Sequence, residues 1–359
     1  MFLTPGSPVR RWLLWAAFPY GLAAKVRAFC YDRGIFARQR LSVPVFSVGN
    51  LTLGGTGKTP IVIWLTQLLL AEGRRVAVLS RGYRRTSREP ILIVSDGTTV
   101  LVGPEEAGDE PYLVATRCPR AVVAVGPDRY QVGLSVLKRF PVDCVVLDDG
   151  FQHLGLHREV NLLLIDATDQ EGIEAVVPAG RLREPLGAAR RATMIVVTRA
   201  DEPADVSHVI HRLRHAIGAG FESVEACFRP EGLCSLSTGE VQLPAWCRGK
   251  RALLCSGIGH AASFRALAEA MEFSVVEEVR FEDHHRYTLD DIERLREKAK
   301  RVDVLVTTEK DAGKLESFLL PGDHKWWAIR LTTELTDGED RLRRAIRQCL
   351  AGDRVEVCA

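Results

Sequence analysis

Lys58 and Thr59 close a glycine-rich stretch, Gly49-Asn50-Leu51-Thr52-Leu53-Gly54-Gly55-Thr56-Gly57-Lys58-Thr59-Pro60, and are the residue types a polyphosphate site needs. Glycines let consecutive backbone N–H groups turn toward phosphate oxygens, a lysine reaches the outer phosphates, and a threonine hydroxyl suits Mg²⁺. The usual G-x-x-x-x-G-K-[ST] spacing puts its first glycine at position 52, where this chain has Thr52. The match is partial at that position. Gly54, Gly55, Thr56, Gly57, Lys58 and Thr59 are nonetheless expected to bind ATP or GTP, because they lie between an apolar, β-branched run (Val43–Val48) and a segment with apolar residues at helical spacing (Ile61, Ile63, Leu65, Leu68, Leu69).

Three further groups stand where chemistry is expected. The strand-like run Val142–Leu147 ends in Asp148-Asp149-Gly150-Phe151-Gln152-His153. An apolar strand ending in aspartate is how a nucleotide-binding sheet holds Mg²⁺ beside the loop threonine, so Thr59, Asp148 and Asp149 are the candidate metal residues. Adjacent strand residues face opposite ways, which leaves one aspartate for the metal and one for a loop or substrate. Arg75–Ser80 reads as a second strand and ends in Arg81-Gly82-Tyr83-Arg84-Arg85, where cations either meet an anionic ligand or form a solvated loop. Asp109, in Gly108-Asp109-Glu110-Pro111, opens an expected helix; its type and place suit an N-terminal cap as well as a base.

The elements that position these residues alternate as in an α/β fold. A polar hairpin-like segment is expected at Ile91–Ser95 and Thr99–Val102, and strands at Ala121–Val125, Val160–Ile165 and Met194–Val197, with a helix starting near Asp128-Arg129. Between about Gly232 and Lys250 the composition shifts to Cys, Ser, Thr, Gly and Pro in a hairpin-like arrangement. A second α/β unit follows, with strands at Ala252–Cys255, Ser274–Phe281, Val302–Thr307 and near Trp327–Leu331, and a helix over Leu289–Lys300. The reading is a mostly parallel, P-loop-NTPase-like sheet over 37–230, a hairpin-like linker over 231–250, a smaller α/β domain over 251–359 and an N-terminal segment over 1–36.

That N-terminal segment carries Arg10-Arg11, then an apolar and aromatic run from Trp12 to Ala24, then Lys25 and Arg27. The run is too short to span a bilayer and has no signal-peptide cleavage pattern, so it is expected to lie in a membrane interface. The competing arrangement is a helix packed on the protein's own core. A net charge of +2 over 359 residues gives no general case for nucleic acid. Nine cysteines without a C-x-x-C pair fit buried thiols in a reducing compartment. His208, His211 and His215 share a helical face, but no carboxylate or cysteine completes a metal set and arginines interleave. Gly257-Ile258-Gly259 lacks a third glycine, and Thr308-Glu309-Lys310-Asp311 differs in spacing from a guanine-reading motif, which favours ATP.

With these motifs in order, the chain resembles the tetraacyldisaccharide 4'-kinase (lipid A 4'-kinase) family across nearly its whole length. The resemblance rests on Gly49–Pro60, Ser80-Arg81-Gly82-Tyr83, Gly108–Pro111, Asp148–His153, Pro178-Ala179-Gly180-Arg181-Leu182-Arg183-Glu184-Pro185, Asp283-His284 and Thr308–Asp311, and the family tolerates the departure at Thr52. It implies transfer of the ATP γ-phosphate to the 4'-hydroxyl of a tetraacylated glucosamine disaccharide 1-phosphate, with Mg²⁺, at the cytoplasmic face of the bacterial inner membrane. It also implies an Asp109–His284 dyad in which the aspartate takes the hydroxyl proton and the histidine orients or tunes it, with Lys58 as the further catalytic residue, on the outer phosphates. Arg81, Arg129, Asp149, Gln152, His153, Arg183 and Glu184 match motif positions around the substrate and phosphates. The expected partners are the lipid substrate and the membrane surface, with no nucleic acid and no obligate protein partner. If His284 serves the same reaction as the P-loop, closure of the second domain on nucleotide binding is expected. The rival readings are a soluble P-loop NTPase switch or metallochaperone, and a kinase of a soluble sugar or nucleoside; the aromatic and basic N-terminus weighs against both.

Overall fold

The computed structural model describes residues 8–201 and 205–352, with side chains from Trp12 onward, so Met1–Ser7 and the side chains of Arg10 and Arg11 lie outside the described residues. In chain order the elements are α1 (Pro8–Asp32), β1 (Val45–Asn50), α2 (Lys58–Ala71), β2 (Val76–Ser80), β3 (Leu92–Asp96), α3 (Pro104–Ala107), α4 (Asp109–Arg117), β4 (Val122–Val125), α5 (Arg129–Arg139), β5 (Cys144–Asp148), β6 (Val160–Asp166) and β7 (Met194–Thr198). There follow α6 (Val206–Ile217), β8 (Ser223–Ser235), β9 (Val241–Gln242), β10 (Arg251–Ser256), α7 (Ala261–Ala270), β11 (Ser274–Arg280), α8 (Leu289–Ala299), β12 (Val304–Thr308), α9 (Glu309–Glu316), β13 (Trp326–Asp337) and α10 (Glu339–Ala351). The first strand begins two residues later than its apolar run, after Pro44, whose missing N–H cannot serve a ladder.

Residues group into two compact units, each discontinuous in sequence. The first takes those up to Arg81, Arg120–Cys227 and those from Thr333; the second takes Gly82–Pro119 and Phe228–Thr332. The expected division kept 37–230 together and 251–359 together. Contacts divide the chain otherwise: Gly313 lies against the Tyr112 ring within the second unit, while Arg341 donates to the Ser223 carbonyl (2.9 Å) and Arg347 meets Glu72 (3.3 Å) within the first. Periodicity identifies elements but not which of them touch.

In the first unit the strand order is β8-β7-β6-β1-β5-β2-β4, parallel throughout. Every residue of β1, β2 and β4–β7 is buried, which is why these strands read as continuous apolar runs. The sheet places β1 between β5 and β6, with Val48 opposite Asp148 and β2 on the other side of β5. The glycine loop, Asp148 and Arg81 thus leave neighbouring strands at their carboxyl ends, where parallel sheets bind ligands.

In the second unit β11-β10-β12-β13 are parallel, and the late part of β8 pairs antiparallel with β9, Leu233 opposite Gln242, in the expected hairpin. Its core has two layers, one around Phe264, Phe273 and Trp327, the other around Tyr287, Leu295 and Trp326. Thr288 and Asp291 form a capping box that starts α8.

Helix α1 packs on the first unit through small residues. Ala17 and Gly21 are buried, and a Cβ on Gly21 would meet Val176 at 3.4 Å. Its aromatic residues face outward: Trp12, Trp15 and Phe18 are 77%, 79% and 71% exposed. Among the described residues no helix is long and apolar enough to cross a membrane. Cys118, Cys144, Cys227, Cys247, Cys255 and Cys349 are buried free thiols.

Candidate active site

The first cluster is built on the carboxyl ends of β1, β5 and β2. Gly57 is the residue before α2, in the left-handed region (φ 76°), with no side chain capping the helix. Glycine meets that conformation without a steric cost, and the first N–H groups of α2 are left for an anion. The loop carbonyls are held from outside: Thr198 donates to Thr56 C=O (3.0 Å) and Arg199 to Gly55 C=O (3.2 Å), while Arg199 also pairs with Asp166. Gly54, Gly55 and Thr59 sit in this loop and first turn, and the buried Thr56 hydroxyl has no hydrogen-bond partner. Lys58 Nζ donates to Asn50 Oδ1 (3.2 Å) and lies 3.7 Å from Asp149 Oδ1.

Asp148, at the end of β5, is buried and accepts from the Ser80 hydroxyl at 2.8 Å. Asp149 follows with φ 51° and pairs with Arg183 at 3.0 Å. Burial opposes its charge, but Lys58, Arg183 and Arg129 outweigh burial and hold the carboxyl below its ordinary range. Arg129 opens α5, is buried, and donates to Pro127 C=O (2.9 Å). Burial and neighbouring Arg81 lower its pKa against the pull of Asp149 and Asp148. Arg81 itself is exposed just beyond β2. Gln152 donates to Asn50 C=O (2.8 Å), and burial, helped by Arg129, pushes His153 down to about 4. Glu184 is engaged elsewhere: it is buried against Arg191 (2.8 Å), whose guanidinium covers the Phe151 ring. Asp148 fixed by Ser80, Asp149 among cations and an uncapped α2 suit Mg²⁺ and a nucleotide polyphosphate.

The second cluster lies wholly in the second unit. Asp109 is the first residue of α4, and His284, with φ 61°, brings Nδ1 to 3.1 Å from Asp109 Oδ2. Lys310 Nζ approaches His284 Nε2 at 3.2 Å; a lysine ammonium only donates, so Nε2 accepts and the tautomer that satisfies both contacts carries its proton on Nδ1, toward Asp109. Lys310 also meets Asp283 (3.0 Å) and Glu110 (3.3 Å). Lys314 Nζ lies 3.4 Å from Asp109 Oδ2, so both contacts to that carboxylate fall on one oxygen and Oδ1 carries neither. Burial raises the Asp109 pKa, but His284, Lys314 and Lys310 together bring it below the ordinary carboxylate value. Arg84 and Arg286 line the cavity that holds Asp109 and His284, and a hollow of about 510 Å³ bounded by Arg84, Arg85 and Glu282–Arg286 shares Arg84, His284 and Arg286 with it.

Within the first unit the structure brings together the residues expected from Gly49–Pro60, Asp148–His153 and Arg183; within the second it brings together Asp109 and His284. The sequence reading missed Asn50, Ser80 and Arg199 in one cluster, and Glu110, Lys310 and Lys314 in the other, as members of a site. Asn50 and Ser80 adjoin residues singled out in their own motifs. Lys310 and Lys314, four apart on a helix, share a face, a spacing visible in the sequence.

A family model for tetraacyldisaccharide-1-P 4'-kinase matches residues 9–351. The chain is similar to the tetraacyldisaccharide 4'-kinase of Geobacter sulfurreducens, 41% identical over 300 residues covering 84% of this chain and 82% of that one. It is similar also to the enzyme of that name from Anaeromyxobacter sp. strain Fw109-5, 39% identical over 346 residues (94% and 91%). Among solved structures it matches the "apo" form of LpxK from Aquifex aeolicus in complex with ATP, at a TM-score of 0.79 and 32% identity, covering 95% of this chain and 99% of that one. The chain belongs to the tetraacyldisaccharide 4'-kinase family.

Proposed function

We propose that this protein moves the γ-phosphate of ATP to the 4'-hydroxyl of a tetraacylated disaccharide 1-phosphate at the cytoplasmic face of the inner membrane. The observation that carries the acceptor side is Asp109: one carboxylate oxygen is fixed by His284 Nδ1 at 3.1 Å and the other carries neither ionic contact. Asp109 Oδ1 receives the proton as the acceptor O–H bond breaks. The acceptor oxygen bonds to the γ-phosphorus, the bond from that phosphorus to the bridging oxygen breaks, and ADP leaves. A base with a low pKa serves here because the hydroxyl becomes strongly acidic only near the transition state; such a positioned base is worth about a hundred- to ten-thousandfold. His284 orients the carboxylate, and Arg84 and Arg286 suit an anionic acceptor.

On the donor side, Gly54–Thr59 and the start of α2 cradle the phosphates and Lys58 neutralises their charge. Thr59, Asp148 and Asp149 are the residues that would hold Mg²⁺, which would supply neutralising charge to the phosphates. Arg81, Arg129 and Arg183 add positive charge, while Gln152 and His153 shape the loop after β5. Bringing donor and acceptor groups together is assigned to closure on nucleotide binding, which small-angle scattering with and without a non-hydrolysable ATP analogue tests; identical profiles oppose a large movement.

The outward aromatic face of α1 supports membrane association: Trp12, Trp15 and Phe18 suit the headgroup boundary and the exposed Lys25 suits anionic lipid, while Arg27 donates to the Gln152 carbonyl (3.3 Å). The test of the activity is transfer of labelled γ-phosphate to detergent-dispersed tetraacyl disaccharide 1-phosphate by the native chain, Lys58→Ala and Asp109→Ala. Labelled lipid from the native chain alone supports the reading. ATP hydrolysis without lipid product would favour an NTPase switch.

A further inference from the structure

Lys314 stands 3.4 Å from the carboxylate assigned above as the base, yet its side chain is only 8% exposed. A buried ammonium is costly unless its protons are used. The ammonium donates to the His285 carbonyl at 3.2 Å and stands at ion-pair distance from two carboxylates, Asp311 Oδ1 at 2.8 Å and Asp109 Oδ2 at 3.4 Å. Asp311, itself fully buried, is anchored by Gly257 N–H (2.9 Å) and the Thr308 hydroxyl (2.8 Å). The approach of α9 to α4 that makes this possible depends on Gly313, where a Cβ would sit 2.6 Å from the Tyr112 ring. Lys310, four residues earlier on the same face, differs: it contacts the far side of His284 and is more exposed.

We propose that Lys314 is a positioning residue for phosphoryl transfer, tying Asp109 Oδ2 to the buried Asp311 anchor so that Oδ1 faces the acceptor hydroxyl. The inference rests on the assignment of Asp109 as the base. Lys314 holds Asp109 in one rotamer together with His284 and keeps it a carboxylate at the pH of the reaction. The other charged or titratable groups around Asp109 are Glu105 from α3, Glu110 from α4, Arg84 from the segment after β2, Asp283, Arg286 and Tyr287 from the segment after β11, and Lys310 and Asp311 from α9. Lys314 is the cation that meets Asp109 from the buried side.

The test is the pH profile of kcat/KM for the tetraacyl disaccharide 1-phosphate at saturating MgATP, measured on the full chain. Native protein, Lys314→Arg, Lys314→Met, the double variant Lys314→Met/Asp311→Asn and Asp109→Asn are compared. The double variant removes both buried charges at once and covers the case in which Lys314→Met alone does not fold. Loss of the cation is expected to move the acidic limb upward by about one to three pH units, the shift an opposite charge at this distance produces, and Lys314→Arg to move it back. If activity falls equally at every pH with the limb unmoved, Lys314 is structural and the inference fails while the base assignment stands. If Asp109→Asn retains transfer, the base assignment fails and takes this inference with it.

Discussion

The two clusters do related electrostatic work with different materials. In the loop that leads to Lys58 the groups offered are backbone N–H and C=O of one short stretch, braced by Thr198 and Arg199, with the Asn50 and Asp149 side chains at the lysine itself. Around Asp109 they are side chains from segments far apart in sequence, with His284 and Lys314 arriving from 175 and 205 residues away, and the carboxylates are balanced by cations one against another. A polyphosphate is alike in every ATP, so a local main-chain cradle suffices; an acceptor hydroxyl needs one oxygen placed at one angle, which takes side chains locked by neighbours.

That contrast is most open to test through the two central residues. Asp109→Asn should lower kcat by about a hundred- to ten-thousandfold while MgATP binding, followed by a fluorescent analogue, stays near native. Lys58→Ala should reduce transfer comparably but weaken nucleotide affinity too. Equal effects of both on nucleotide affinity would erase the distinction.

Glu184 tests the donor cluster's edge. As the buried partner of Arg191, its replacement in Glu184→Gln should cost about 3–5 kcal/mol in chemical denaturation, with the KM for MgATP unchanged in the protein that remains folded. A raised KM at unchanged stability would move Glu184 into direct phosphate contact.

A smaller effect concerns acid. His153 is held down to about 4, below its ordinary 6.5, chiefly by burial. A depressed histidine contributes stability that is present above about 6.5 and is lost as pH falls through about 4, because the unfolded chain takes up the proton first. Unfolding free energies at pH 7 and pH 5 should therefore converge in His153→Gln relative to native. The smallest catalytic effect is expected on α1: Trp12→Ser, Trp15→Ser and Phe18→Ser together should leave transfer in detergent near native and lower cosedimentation with anionic vesicles. Unchanged cosedimentation would remove α1 from membrane binding.

Much of this was legible before any coordinates. The strand, glycine loop and helix around Gly57, the aspartates ending β5 and the α/β alternation are local patterns with one physical solution each. The Asp109–His284 pair came from family resemblance; on residues alone Asp109 read first as a helix cap. Lys310 and Lys314 carried the spacing of one helical face but nothing to say what that face meets. Glu184 sat in a motif, and only packing showed it against Arg191. The outward turn of Trp12, Trp15 and Phe18 needed the small residues Ala17 and Gly21 to be seen against the first unit.

By itself the sequence determined the nucleotide cradle and the order of elements, because backbone conformation, periodicity and strand-end chemistry act over a few residues. Only the tertiary structure decided which side chains share a carboxylate, that Gly82–Pro119 groups with the later residues, and that Lys314 is buried between the Asp109 and Asp311 carboxylates. Those outcomes depend on close approach between helices such as α4 and α9, and no local rule of sequence encodes the distance between two helices.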